Sequence, residues 1–335
     1  KVYWDEKPCA GATLDDIDEE KVRWFVKEAN AQRGLTLAAS LSLKEILARL
    51  KLFRDGQLSN ASLLIFPKNP WFLQSEIKCI RYSGNEPVKP YVDFQAFEGS
   101  VFDLIDWAGE FVLRNIRKSI KLIPGKPQRE ERYEYPPDAI REAIANAVVH
   151  RDYESPSKVQ VRVFDDRLEI WNPGLLPKGI TVADLKREHP SIPRNPLLFK
   201  HLFLVRFVED VGGGTIDMFK QCRKYGIPVL EFKETGGTFA VIFRKPIVKE
   251  ELMKLRLNER QLKAVDWAEA KGSITNKEYQ KLNNISKPTA TRDLRELVGK
   301  TILRSIGKGK RDLRYVLAFG EPKESQKKSQ KPVIP

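Results

Sequence analysis

Apolar residues recur at helical spacing along some stretches of this chain and alternate with polar ones along others. From Val101 to Ile120 they fall three and four apart, at Val101, Leu104, Ile105, Ala108, Phe111, Val112 and Ile116, which predicts a helix with one buried face. Lys121 to Gly125 reads as a link to a second helix that opens at Pro136-Pro137-Asp138, where proline suits the first turn and aspartate the positive end. There Ile140, Ile144, Ala147 and Val148 share one face, and Glu142, Asn146 and His150 share the other. Lys158 to Phe164 alternates as a strand, Asp165-Asp166-Arg167 turns, and Leu168 to Trp171 returns, a hairpin closed by the turn residues Asn172-Pro173-Gly174. A glycine run, Gly212-Gly213-Gly214-Thr215, then leads into a helix, and Gly237 to Phe243 reads as a last strand.

The first ninety or so residues carry less. Leu14 to Val26 and Leu43 to Leu50 read as helices, Asn60 to Phe66 as a buried strand closed by Pro67 and Pro70, and Ile77 to Tyr82 as an alternating strand. Core packing is the expectation for Trp4, Trp24 and Trp71, and no residue in this region has an evident catalytic role.

Beyond Lys249 the pattern gives three short helices: Glu259 to Ala270, a second capped by Ile274-Thr275-Asn276, and a third opened at Ser286 or Lys287 with Pro288 in its first turn. Two short strands, within 301–306 and 313–317, then flank Gly307-Lys308-Gly309-Lys310-Arg311-Asp312. That order predicts a winged helix-turn-helix. Lys287, Thr289, Thr291, Arg292 and Arg295 would meet the major groove of double-stranded DNA, and Lys308, Lys310 and Arg311 the adjacent backbone. A winged helix used only for protein contacts is the alternative. The tail from Glu321 is polar and is expected to be disordered.

Charge sharpens this picture. The chain has 335 residues and a formal net charge of +14. Residues 249–331 hold 21 Lys and Arg against 11 Asp and Glu, so most of the excess lies in the basic module and favours a polyanion. Three scattered cysteines (Cys9, Cys79, Cys222) imply a reducing, cytoplasmic setting with no disulfide frame and no zinc site. No apolar run reaches the length of a membrane span and no signal pattern opens the chain, so no membrane partner is expected.

The chemistry centres on two places. A carboxylate and an amide one helical turn apart, Glu142 and Asn146, suit activation of water and coordination of Mg²⁺. A solvated polar helix face is the alternative. Glycines that open a helix leave N–H groups bare for an anion, or make a plain loop. A Walker A loop is missing: the single Gly-Lys-Thr, Gly299-Lys300-Thr301, has Leu294 where the earlier glycine is needed, so a helicase motor is excluded.

Taken in order, Glu-x-x-x-Asn on a helix, a strand ending in Asn-Pro-Gly, and a glycine-rich helix start resemble the Bergerat (GHKL) ATP-binding fold. The strings Arg141 to Tyr153, Ile170 to Pro177, Arg194-Asn195-Pro196 and Gly212 to Met218 are most similar to regulators with a Schlafen/AlbA-type N-terminal domain and a RecG-like GHKL domain. The resemblance covers about residues 1–320. It implies that Glu142 is the general base and Asn146 the Mg²⁺ ligand. Asn172 would face the adenine amine, and Gly174, Gly212, Gly213, Gly214 and Thr215 would cradle ATP. It also implies a lid over residues 175–211, with Arg194 as a phosphate contact. Asp210 and Val211 depart from that pattern, which usually has an arginine and an aromatic there. A domain portion precedes the equivalent of Lys1 in the resembling proteins, so the chain is expected to be a fragment.

The expected fold is therefore α+β and multidomain, an α/β sandwich of Bergerat type plus a C-terminal winged helix. Its parts are residues 1–97 (the C-terminal part of a Schlafen/AlbA-type domain), 98–247 (ATP-binding), 250–320 (winged helix) and 321–335 (tail). The expected function is that of an ATP-binding, DNA-binding transcriptional regulator, with weak Mg²⁺-dependent ATPase activity left open. The alternative is a non-enzymatic winged-helix factor on a nucleotide-free scaffold. A histidine-kinase-like role for His150 finds no accompanying dimerisation helix. The sequence leaves the oligomeric state open, a homo-oligomer included.

Overall fold

The computed structural model of the chain describes residues 2–122, 129–209, 214–225, 227, 230–245, 257–300, 302–307 and 313–317. Two units result, Lys1–Tyr225 with Leu230–Arg244, and Gly226–Val229 with Lys245–Pro335.

In the first unit, single turns at Trp4–Glu6 and Leu14–Asp16 precede α1 (Glu19–Arg33), α2 (Leu43–Arg49), a small hairpin of β1 (Phe53–Arg54) and β2 (Gln57–Leu58), and α3 (Asn60–Ile65). Then come β3 (Ile77–Tyr82), β4 (Tyr91–Phe97), α4 (Val101–Asn115), β5 (Lys118–Leu122), β6 (Arg129–Tyr133) and α5 (Pro137–His150). The remainder is β7 (Val159–Val163), β8 (Arg167–Pro173), α6 (Pro196–Leu204), α7 (Gly214–Lys224), β9 (Leu230–Thr235) and β10 (Thr238–Arg244). One six-stranded mixed sheet, ordered β4-β3-β7-β8-β10-β9, organises the unit. Among the described strands only β3 and β7 pair in parallel, because the chain crosses over through α4 and α5 between them. Helix α4 lies on β3, β4 and β7, α5 lies on β8, and α7 packs against α5. The apolar face expected for α5 is buried, with Ile140, Ile144, Ala147 and Val148 all in the core.

Several expectations are corrected here. The boundary at residue 97 is not a break, since β3 and β4 belong to the same sheet as β7, β8, β10 and β9. Asn60–Ile65 is helical rather than extended. An apolar run buried on every side carries no period to separate the two, and the Ser59 hydroxyl caps the helix by accepting from Ser62 N at 3.4 Å. The Val101 helix stops at Asn115 instead of Ile120, and the supposed link begins as β5 of a two-stranded hairpin with β6. Strand β8 runs through Asn172 to Pro173, so the turn starts at Gly174. Trp24 and Trp71 are 40 % and 37 % exposed instead of buried in the core.

The second unit holds α8 (Glu259–Lys271), α9 (Asn276–Asn283), α10 (Lys287–Gly299) and a hairpin of β11 (Leu303–Ile306) and β12 (Arg314–Leu317). Its core joins Ala264, Val265, Tyr279, Leu294 and Ile302. Ile274 exchanges two backbone bonds of 2.8 Å with Tyr315, tying the α8–α9 connection to the hairpin. Gly212, Gly213, Asp210, Val211, Lys308, Lys310, Arg311 and the tail from Glu321 lie outside the described residues. Among the described residues no helix is long and apolar enough to cross a membrane.

Candidate functional site

Helix α5 starts on proline at its first positions and buries its alanine and aliphatic face, which leaves Glu142, Asn146 and His150 on the opposite side. Asn146 Nδ2 donates to Glu142 Oε1 at 3.0 Å, as an i, i+4 pair should. Burial pushes the Glu142 carboxyl up to about 7; the Asn146 bond opposes the rise, and Glu209 and Asp217 add to it. Two turns on, burial holds His150 down at about 4, with Arg194 and His189 reinforcing the effect.

The far end of β8 supplies a second group. Asn172 is buried, and with its amide oriented to suit its surroundings Nδ2 donates to the Ala147 carbonyl at 3.0 Å. Gly174 then turns with φ +121°, and a β-carbon there would stand 3.2 Å from Asp152 N. Both the backbone angle and the close approach therefore call for glycine. Asp152 N donates to Pro173 O at 2.7 Å. Arg151, 1 % exposed, holds the loop below by donating to the carbonyls of Gln74, Ser155 and Ser157. Arg194 Nη2 donates to Leu175 O at 2.9 Å, and its Nη1 lies 3.8 Å from Asp152 Oδ2. Arg194 thus stands beside Gly174, away from the Glu142 end. Its buried neighbour Asn195 donates to Val149 O and Arg151 O at 2.7 and 2.9 Å, fastening this segment to the end of α5.

The third group is the start of α7. Gly214 lies so close to α5 that a β-carbon would fall 2.3 Å from Glu142 Oε1 and 3.3 Å from its Cδ. The Thr215 hydroxyl is buried without a hydrogen-bond partner. Glu142, Asn146, His150, Asn172, Gly174, Arg194, Gly214 and Thr215 all line one cavity of about 670 Å³. Much of the expected lid, from Leu175 to Asn195, borders it as well, and Ile170, Met218, Phe232, Phe239 and Val241 give it apolar walls. Along α5 the carboxylate end and the His150 end are separated by roughly 12 Å, eight residues at the helical rise.

Sequence reasoning missed part of this wall. Val2, Tyr3, Trp4 and Lys7 also line the cavity. Trp4 stacks on Tyr153 with ring centroids 5.0 Å apart, and Lys7 pairs with Glu154 at 2.9 Å. Asp5 is fully buried and its Oδ2 accepts from Leu197 N and Leu198 N at 2.8 and 2.9 Å, capping α6 from across the chain. Burial raises this acid to about 6. Local sequence carries no signal for these contacts, since each joins segments far apart along the chain.

On the second unit, Lys287, Arg292 and Arg295 are exposed along α10. Thr289 and Thr291 are engaged within the unit: Thr289 Oγ1 is 3.1 Å from Ser286 Oγ, and Thr291 Oγ1 accepts from Asn276 at 3.1 Å while donating to Lys287 O. Buried Asp293 anchors the helix by accepting from Arg260 at 3.0 Å and from Tyr279 at 3.2 Å.

Residues 156–243 match the family model described as "Putative ATP-dependent DNA helicase recG C-terminal". That span contains Asn172, Gly174, Arg194, Gly214 and Thr215, and begins after Glu142 and Asn146. The match supports a RecG-like, GHKL-type character for the central region, an ATPase-type domain. No curated protein sequence matches the chain. Among solved structures, the crystal structure of the DIP2311 protein from Corynebacterium diphtheriae aligns with a TM-score of 0.54 at 16 % identity, covering 95 % of this chain and 70 % of that one. At that identity the likeness is one of fold.

Proposed function

We propose that the first unit binds ATP as its magnesium complex and the second binds double-stranded DNA, making the protein a nucleotide-responsive transcriptional regulator. One observation carries the nucleotide half: residues from α5, the end of β8, the Leu175–Asn195 segment and the start of α7 border a single cavity. The site's own chemistry fits the ligand. Gly174 and Gly214 let the backbone approach Asp152 and Glu142 closely at the cavity wall, and Thr215 has a buried hydroxyl still to be paired. With Asn146 Nδ2 held by Glu142, its Oδ1 is the atom available to a divalent ion. Among the described residues no three His, Cys, Asp or Glu side chains form a metal cage. Mg²⁺ suits such a sparse site, because it is commonly held by few protein ligands together with phosphate oxygens and water.

In this reading Asn172, its amide oriented by Ala147, would hold the adenine by accepting from the amine at Oδ1. Gly214 and Thr215, with the glycines before them, cradle the phosphates. Arg194 borders the base and ribose end instead of the γ-phosphate. Mg²⁺ with ATP, when bound, would supply the phosphoanhydride and the charge neutralisation for hydrolysis. Glu142, its carboxyl raised to about 7 by burial and positioned by Asn146, would take the proton from an attacking water. Residues 1–97 are, on the same reading, the C-terminal part of a Schlafen/AlbA-type domain whose last two strands extend the ATPase-type sheet.

The rival, a nucleotide-free scaffold, draws on the carboxylates Asp152, Glu154 and Glu209 that share the cavity wall with Glu142. Titration of a fluorescent ATP analogue with Mg²⁺ separates the two. Binding by the wild type that Asn146→Ala weakens supports the site; no binding by either chain establishes the scaffold.

For the DNA half, three helices followed by a hairpin, with Lys287, Arg292 and Arg295 exposed on the third helix, form a winged helix-turn-helix. Phosphate contacts come from these cations and from Lys308, Lys310 and Arg311 of the wing. Thr289 and Thr291 serve the fold of the helix start more than base contact.

A further inference from the structure

The central sheet ends in two unlike edges. At β9 the edge carries Glu231, Lys233 and Glu234 within six residues, the charge pattern that deters strand addition. At β4 the edge reads Tyr91-Val92-Asp93-Phe94-Gln95-Ala96-Phe97, with Val92 63 % and Phe94 45 % exposed. Its one charge, Asp93, accepts from Asn115 Nδ2 at 3.0 Å. Strand β3 pairs along one side, from Ile77 opposite Phe97 to Arg81 opposite Asp93, and no other described strand pairs with β4. An aromatic strip leads to this edge across one sheet face: Phe164 stacks on Tyr82 at 4.7 Å, Tyr82 meets Tyr91 at 5.4 Å, and Tyr91 meets Phe94 at 5.9 Å.

We propose that β4 is a homodimerisation edge: two copies of the chain pair antiparallel through β4 about a twofold axis at Phe94, joining their sheets. The residue order selects both the occupant and the register. Centred on Phe94, the strand is complementary to itself, which an isologous interface requires. Phe94 then faces Phe94, Asp93 faces Gln95 and, beyond the extra residue of the bulge at Val92, Tyr91 comes opposite Ala96. Apolar residues meet apolar ones, and the carboxylate meets an amide. Lys89 of one copy comes nearly level with Glu98 of the other, so opposite charges flank the pairing. A twofold at Asp93 would oppose two carboxylates, and one at Gln95 would set Asp93 against Phe97; both are unfavourable across strands. The bulge between Arg81 and Tyr82 bends the edge near Val92. The paired stretch is therefore short, and the dimer depends on concentration.

Sedimentation equilibrium of the full chain tests this. The wild type should pass from monomer to dimer as its concentration rises. Phe94→Lys and Phe94→Glu should each raise the dissociation constant roughly tenfold or more by opposing like charges at the axis. Far-UV circular dichroism should be unchanged, because Phe94 is half exposed. An equimolar mixture of the two variants should restore the dimer through a Lys–Glu pair. Phe94→Cys should cross-link with itself under mild oxidation, while the native Cys9, Cys79 and Cys222 are buried. A wild type that stays monomeric, a dimer that survives Phe94→Lys, or a mixture that fails to re-form it would each overturn the proposal.

Discussion

The backbone of Gly214, the first residue of α7, lies against the carboxylate of Glu142 on α5, leaving no room for a β-carbon, which would stand 2.3 Å from Oε1. The acid is consequently held between the Asn146 amide and the start of α7. Gly214→Ala must push Glu142 off Asn146 or shift α7. Overpacking of this kind costs about 1–3 kcal/mol, which is roughly a 5- to 150-fold loss when it falls on binding. Nucleotide titration should show that loss. Affinity unchanged in Gly214→Ala would mean that the carboxylate can move without consequence to the ligand.

The Glu142 carboxyl, raised from 4.5 to about 7, makes a pH prediction of definite sign. Between those values the folded chain holds the proton that the unfolded chain has released, so this residue's contribution to stability is full below 4.5 and is lost as pH rises through 7. Glu142→Gln should remove that decline, so that denaturation midpoints of variant and wild type diverge with pH in the variant's favour. Any hydrolysis by the wild type should move the other way, rising as pH passes 7 and the base ionises. Phosphate release that is unaltered in Glu142→Gln would remove this residue as the base.

Asp5 links the N-terminal segment to the start of α6. Asp5→Ala deletes the acceptor for Leu197 N and Leu198 N and should cost about 1–2 kcal/mol, as loss of a helix cap does. Asp5→Asn keeps an acceptor and should cost less. Because burial raises this acid from 3.8 to about 6, its stabilising share fades as pH climbs through that window. The Asn variant should lack this pH trend. Chemical denaturation at pH 4 and pH 7 measures both effects.

For DNA, Arg292→Ala and Arg295→Ala should weaken binding across unrelated sequences. Each should also lower the slope of log affinity against log salt by about one for every phosphate it no longer neutralises. Fluorescence anisotropy at several salt concentrations gives the slope. A slope that stays constant while affinity drops would assign these arginines to folding or base recognition.

Much of the core and of the candidate site is legible along the chain. Helix α5, the β7–β8 hairpin, the start of α7 and the three C-terminal helices follow from apolar spacing, proline at helix starts and capping side chains, all of which act within a few residues. Asn60–Ile65 escapes such a reading because its burial is uniform, and the β5–β6 hairpin because Lys118 to Leu122 continues an apolar rhythm begun in α4. The junction at residue 97 is hidden for a different reason. Whether β3 and β4 form their own sheet or extend another depends on which strand lies beside β3, and that neighbour, β7, comes after a crossover of two helices.

Local order determined which side chains each element offers: an acid and an amide on one face of α5, an asparagine and a glycine at the end of β8, a glycine at the start of α7. Tertiary structure alone decided that these share a cavity, that Arg194 stands beside Gly174, and that Trp4 and Lys7 complete the wall. Periodicity and capping depend on interactions between near neighbours and so are written along the chain. Convergence depends on strand order and on packing between segments far apart, which hydrophobic burial settles only when the whole unit folds.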